Sequence, residues 1–191
     1  MKRALLIGNH RQFLLDLKSA LPLAGYQSIV STENGLDALR LVHRFEPDLV
    51  LMSWDIQGMM ACDLLQTLVS QNLLPVIVGI NQEDMSLLPD IIQYTPDDIL
   101  VHPFRAFDLI TAIFCTERRF AIQQEQKKKL EQLRHDLKVR KTIYKALLIL
   151  IQKCGWDEET AYLKIRQQAM ARRKSLQAIA LDIINENEFP E

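Results

Sequence analysis

Cysteine is scarce in this chain and its spacing is wrong for pairing. Cys62, Cys115 and Cys154 are odd in number and scattered, which gives no disulfide framework and no metal-binding spacing. They read as reduced thiols, and no cofactor is expected. Long apolar runs are also missing: no stretch approaches the roughly 20 residues needed to cross a bilayer. The first residues, MKRALLIGNHRQF, lack the long apolar stretch and small-residue cleavage site of a secretory signal. A cytoplasmic location without membrane contact is the expectation. Enzymatic machinery is absent too. No nucleophile–base pair, metal cluster or phosphate loop stands out, and GNH after the first apolar run is too short for a phosphate loop. Of the four histidines, His10, His43, His102 and His135, only His10 and His102 are expected to meet. The chain reads as a non-enzyme.

What is present is a core. Of 191 residues, 48% are hydrophobic and 25% charged, so a packed fold is expected rather than disorder. Net charge is only −1, but it is unevenly placed: residues 1–126 carry −6, residues 127–174 carry +9, and residues 175–191 carry −4. A basic module attached to an acidic one implies an anionic partner for the basic part.

The first 115 residues alternate two patterns. RALLIG (3–8), QSIV (27–30), DLVLM (48–52), PVIVGI (75–80) and DILV (98–101) are continuous apolar runs, as in parallel strands covered on both faces. Between them lie helical periodicities. FLLDLKSAL (13–21) aligns Leu14, Leu17 and Leu21; GLDALRLVHRF (35–45) aligns Leu36, Leu39 and Val42; CDLLQTLVSQ (62–71) aligns Leu64, Leu65 and Leu68; AFDLITAIFC (106–115) opens the last. This alternation predicts an α/β fold with a doubly wound, five-stranded parallel sheet, whose functional positions lie at the carboxyl ends of the strands.

Between Thr116 and Gln152 there is neither proline nor glycine, and Gln, Glu, Lys and Leu dominate. Leu130, Leu133, Leu137, Tyr144 and Leu147 fall at heptad spacing, which predicts a long helix pairing with a second copy; Gln126 and Arg140 weaken the seam. Gly155 is placed to end it. Asp157 caps a second helix with Ala161, Ile165 and Ala169 inward, and Ser175 caps a third with Leu176, Ile179, Ala180 and Ile183 inward. The organisation predicted is a domain over 1–115, a coiled-coil linker over 116–139, and a small three-helix unit over 140–191.

PDLVLMSWDIQGM (47–59), PVIVGIN (75–81) and DDILVHPF (97–104) resemble three strand-end motifs of the receiver domain of bacterial response regulators. That resemblance implies a flavodoxin-like fold. It also implies a phosphorylation pocket, and here the residues at its posts are changed. The metal-holding acidic pair is Gly8 and Asn9, the phosphoacceptor is Ser53, the fourth-strand hydroxyl is Ile80, and the fifth-strand lysine is His102. Magnesium requires hard oxygen ligands, and phosphoryl transfer of this kind requires a carboxylate nucleophile. Four changes in one pocket make a pseudo-receiver, with Asp55 a polar loop residue. Trp54, with Met59 and Met60, reads either as a patch for a partner or, for Trp54, as filler of the vacated pocket.

Residues 140–184 resemble the ANTAR domain, through Ala146 and the following LLILI, Gly155 and Trp156, Thr160-Ala161-Tyr162, Arg166 with Ala169 and Met170, and the terminal LQAIALDII (176–184). Leu147 and Leu148 depart from it, standing where the family has lysine and glycine. The resemblance implies an RNA-binding transcription antiterminator acting on leader-RNA hairpins. It extends to a narrower, amidase-type group, which implies a homodimer gated by a ligand-sensing partner protein rather than by a kinase. The expected RNA contacts are Lys145, Lys153, Arg166, Met170, Arg172, Arg173 and Lys174; the expected dimer coil is Leu130, Leu133, Leu137 and Tyr144. Tyr162 reads first as a core aromatic and second as a base-stacking residue, and Met170 carries a core-or-edge reading as well. An atypical DNA-binding response regulator and a protein scaffold without nucleic acid are the alternatives.

Overall fold

The structure is a computed structural model describing residues 1–186. Five strands, β1 (Lys2–Ile7), β2 (Tyr26–Thr32), β3 (Leu49–Ser53), β4 (Val76–Asn81) and β5 (Asp98–His102), alternate with α1 (Arg11–Ala20), α2 (Gly35–Phe45), α3 (Ala61–Gln71) and the short α4 (Leu88–Ile92). Then follow α5 (Ala106–Cys154), α6 (Glu158–Arg172) and α7 (Leu176–Glu186). The sheet is wholly parallel, in the order β2-β1-β3-β4-β5. This is the doubly wound, five-stranded parallel sheet that the apolar runs predict, in the receiver-like form that the strand-end resemblance implies.

Alternate strand residues feed two cores. Leu5, Ile7, Val50, Met52, Val76 and Val78 pack with α2 and α3, while Ala4, Leu6, Leu49, Leu51 and Ile77 pack with Phe13, Leu17, Leu109 and Ile113 of α1 and α5. Central β3 is buried along its whole length, which accounts for its unbroken apolar run. Gly79 is required for contact: a Cβ there would lie 2.0 Å from the Phe13 ring, which rests on β4.

Two helical faces differ from expectation. In α2 the buried positions are Gly35, Ala38 and Val42, and Leu36 is 51% exposed. Asn34 caps the helix through the backbone N–H groups of Leu36 and Asp37, and its start is seated on Met59, which comes within 2.4 Å of where a Gly35 Cβ would be. In α1, Leu14 is only half-buried and Leu21 lies in a 3-10 turn (Leu21–Ala24), with Phe13 and Ala20 taking the inward positions.

The final receiver helix and the long helix are one element, α5, unbroken at 115 because neither proline nor glycine occurs between Pro103 and Gly155. Packing divides the chain elsewhere, between a unit ending at Gln124 and one starting at Glu125. The first part of α5 is tied down by polar groups. Glu117 accepts from Lys2 at 2.6 Å and from the Tyr26 hydroxyl at 2.6 Å, Arg119 and Thr116 donate to Asp98, and Gln124 donates to the Asn72 carbonyl at 2.9 Å. Burial and the Glu117 carboxylate push the Tyr26 phenol far above its usual pKa, so it stays a donor.

In the second unit, α5, α6 and α7 close around Ala146, Leu147, Leu150, Ala161, Ile165, Ala169, Ile179, Ala180 and Ile183. Alanines on all three helices let the axes approach closely. Leu147 is 6% exposed and belongs to this core, so it is removed from the predicted dimer seam. The last five residues of the predicted 140–191 segment lie outside the described residues.

Leu150→Ala is expected to cost about 2–5 kcal/mol, as for other fully buried leucines. With Trp54→Phe as background, the fluorescence of Trp156, which packs on the same core, should show the unfolding transition move to lower urea.

Candidate functional site

The carboxyl ends of β1, β3, β4 and β5 bring Gly8, Asn9, Ser53, Ile80 and His102 to one edge of the sheet. The chain itself fills the space there. The Ser53 hydroxyl is buried and donates to the Asp55 carbonyl at 2.9 Å, and the Asn9 backbone N–H donates to the same carbonyl at 3.1 Å. A Cβ on Gly8 would stand 2.1 Å from Ser53 Oγ, so no carboxylate fits at that post beside Ser53. Ile80 is 3% exposed, and the cavity left among Ser53, Trp54, Ile80 and Asp84 is about 30 Å³, room for about one water. Trp54 is half-buried against the core on the α2–α3 side of the sheet, whereas Met60 is 68% exposed.

His102 does not take a lysine's place over this pocket. Its Nε2 lies 2.9 Å from Asp16 Oδ2, and its ring meets His10 edge-on at 5.5 Å and Phe104 at 5.6 Å. The two histidines thus meet as expected. His10 Nδ1 accepts from the Phe13 backbone N–H and caps α1, so in this arrangement the neutral ring carries its proton on Nε2. Beside them is an open cleft of about 530 Å³ lined by His10, Gln12, Asn81, Glu83 and His102. Receiver chemistry implies a magnesium ion, but these residues do not fit one. Asp55 is an exposed loop residue, and no group of three or more His, Cys, Asp or Glu suited to a metal occurs among the described residues.

The basic unit has a different geometry. Gly155, at φ +69°, ends α5. Asp157 then caps α6, accepting from Thr160 N at 3.3 Å, and hydrogen bonding by the Thr160 side chain, with its backbone N–H second, holds the Asp157 carboxyl below the usual carboxylate range. With Ala161, Ile165 and Ala169 inward, the flank of α6 carries Tyr162, Arg166 and Met170 on successive turns. Tyr162 is 40% exposed and Met170 71% exposed, so the core reading of both is corrected: small residues take the inward positions, and the next residue along falls in water. At its far end α6 stops at Arg173, in the left-handed region at φ +52°, and the Lys174 N–H bonds back to the Ala169 carbonyl at 3.0 Å. Arg172, Arg173 and Lys174 therefore splay around a turn. All three are exposed, and Lys174 reaches Asp182 at 2.9 Å.

Two members of the predicted RNA set lie apart from that turn. Lys153 is on the last turn of α5, and Lys145 sits on α5 away from the face formed by Ala146, Leu147 and Leu150. Sequence reasoning missed the other flank of α6, where Lys164, Gln167, Gln168 and Ala171 line a groove of about 180 Å³. Their i, i+3, i+4, i+7 spacing was the available signal. Along α5, Leu130, Leu133, Leu137 and Tyr144 are 49%, 53%, 57% and 55% exposed, an uncovered apolar stripe.

Residues 4–114 match the response regulator receiver domain family, and residues 131–184 match the ANTAR domain family. The chain is 26% identical over 179 residues to the transcriptional regulatory protein PdtaR of Mycobacterium tuberculosis, covering 94% of this chain and 87% of that one. It is 26% identical over 109 residues to the aliphatic amidase regulator of Pseudomonas aeruginosa, covering 57% of this chain and 56% of the relative. Among solved structures, a response regulator receiver domain protein from Clostridium thermocellum superposes with a TM-score of 0.55 at 18% identity, covering 64% of this chain and 99% of that one. The receiver domain of an HD domain-containing protein from Pseudomonas fluorescens gives 0.58 at 20% identity, covering 65% and 92%. At these identities the structures speak for the fold. The chain belongs to the response regulator receiver family and carries an ANTAR domain behind its receiver: it is an ANTAR response regulator.

Proposed function

We propose that this protein is an RNA-binding transcription antiterminator that acts as a cytoplasmic homodimer on leader-RNA hairpins, without phosphorylation and under the control of a ligand-sensing partner protein. The observation that carries the reading is the α6 flank: an aromatic, a guanidinium and a thioether on successive exposed turns, leading to a splayed basic turn. Unpaired loop bases offer faces to stack on Tyr162 and edges for Arg166, and their phosphates suit Arg172 and Arg173. The similarity to a transcriptional regulatory protein over nearly the whole chain supports it. The dimer reading is supported by the uncovered stripe from Leu130 to Tyr144, and the phosphorylation-independent reading by the self-filled pocket around Ser53. Control by a partner rests on that filled pocket and on the likeness to the aliphatic amidase regulator.

RNA hairpins with randomised loops, selected on the full-length protein, provide the probe. Tyr162→Ala should weaken binding roughly 5- to 150-fold, the range for loss of one stacked base, while Tyr162→Phe retains it. Arg166→Ala should weaken binding and flatten its salt dependence by about one unit of slope. A wild-type protein that selects no hairpin but shifts duplex DNA would overturn the RNA reading. In sedimentation, Leu133→Asp with Leu137→Asp should convert a dimer into a monomer; a wild-type monomer at micromolar concentration overturns the dimer. Ser53→Asp, given magnesium and a small phosphodonor, should show no phosphoryl mass gain, because the acidic metal ligands remain absent; a gain would contradict the pocket argument.

A further inference from the structure

Eight of the fourteen cations between residues 127 and 174 lie on the α5 segment 127–145, and five of these share one face. Lys127, Arg134, Lys138, Lys141 and Lys145 follow a spacing of seven, four, three and four residues, which at 3.6 residues per turn keeps them within roughly 60° of arc over about 27 Å. All five are exposed, and none has a side-chain ion pair or hydrogen bond among the described residues. Lys174, by contrast, is held by Asp182. Glu131 lies just beyond the edge of the arc and forms no ion pair with any of the five among the described residues. The row lies roughly 80° around the helix from Leu130, Leu133 and Leu137, and faces away from the α5 surface that packs against α6 and α7. A second copy seated on the leucine stripe would leave its outer side open.

We infer that this row is a second RNA surface, separate from the α6 flank, which holds the phosphate backbone of a hairpin stem. The inference rests on the RNA-binding reading above and extends it from loop to stem. Five cations in a line, with a single carboxylate at their edge, repel one another along the helix, and a polyanion relieves that repulsion while releasing its own counterions. At about 27 Å the row is long enough for a stem backbone to meet several of its cations at once. Such contacts carry no base information, which matches a row of Lys and Arg with no aromatic and no amide in it.

Two hairpins with the same selected loop, one on a stem of about six base pairs and one on a stem of about eighteen, separate the surfaces. With the full chain, the wild type should bind the long stem more tightly, with a steeper dependence of log Kd on log salt. Arg134→Gln with Lys138→Gln and Lys141→Gln should lower that slope by about two, at 0.7–0.9 per lost phosphate contact, and remove the advantage of the long stem. Affinity for the short stem should barely change. The charge-keeping set Arg134→Lys, Lys138→Arg and Lys141→Arg should restore the wild-type slope, which separates lost charge from lost structure. An unchanged slope in the Gln set overturns this surface while leaving the α6 reading intact. A wild type that binds neither hairpin overturns both. Polyglutamate competing as well as RNA at equal charge would reassign the row to an acidic protein and overturn the inference.

Discussion

The structure depends on one uninterrupted helix. No residue between Pro103 and Gly155 can break it, so the helix that closes the receiver sheet against Leu109 and Ile113 is the same helix that supplies Ala146, Leu147 and Leu150 to the second core. Its first turns are set by Glu117, which gathers Lys2 and the Tyr26 hydroxyl onto one carboxylate at the half-buried amino-terminal edge of the sheet. The cooperation is mutual. Lys2 and the Tyr26 hydroxyl both donate to Glu117, and the desolvated phenol has no tendency to ionise beside it. A helix whose middle is polar on most sides gains little from its own propensity. Here both ends are anchored by burial, and the middle is left with two unpaired features: a stripe of leucines and a row of cations.

The pocket at the carboxyl edge of the sheet is filled by the chain itself while the fold is kept. Ser53 turns its hydroxyl to a carbonyl of its own loop, Gly8 removes the volume a carboxylate would occupy, and Ile80 continues the core to the rim. The same edge in an active receiver has to keep several carboxylates close together, which costs electrostatic energy unless a metal is bound. Replacing them with a hydroxyl, a glycine and an aliphatic side chain removes that repulsion. His102 pairs with Asp16 and joins an aromatic cluster.

Much of this was legible in the sequence, for identifiable reasons. Parallel strands buried on both faces must be continuously apolar, so β1, β3 and β4 could be read directly. The caps Asp157 and Ser175, and the stop at Gly155, each satisfy backbone groups that a helix end leaves unpaired, and the residue types declare it. The misreadings share one cause. Leu36, Leu147, Tyr162 and Met170 were all assigned by side-chain character: alanine and glycine hold the inward positions and leave Leu36, Tyr162 and Met170 outside, while Leu147, given to the outer seam, is buried beside Ala146. The pairing of His102 with Asp16 spans 86 residues and leaves no local trace. The cation row was present in the sequence as a spacing, yet it appeared only as net charge, because charge on a helix acquires meaning when the packed face is known.

These two features bear on regulation. Under the proposed function no phosphoryl group shifts this receiver between states, and a ligand can move an equilibrium only by interacting differently with its two ends. Under the proposed function, control must then act on surfaces that remain open. The leucine stripe of α5 is such a surface, since it is apolar, uncovered, and the proposed site of self-association. The cation row runs along its flank. A protein that covered the stripe and also reached round to its flank would compete with the second copy and, at the same stroke, stand over the charges proposed to hold the RNA stem. One contact would thereby remove both the dimer and the backbone grip. A partner of that kind would need an apolar stripe bordered by carboxylates, because a merely apolar one would leave five desolvated cations unpaired at its edge, and unpaired buried charge is among the most costly arrangements a protein interface can hold.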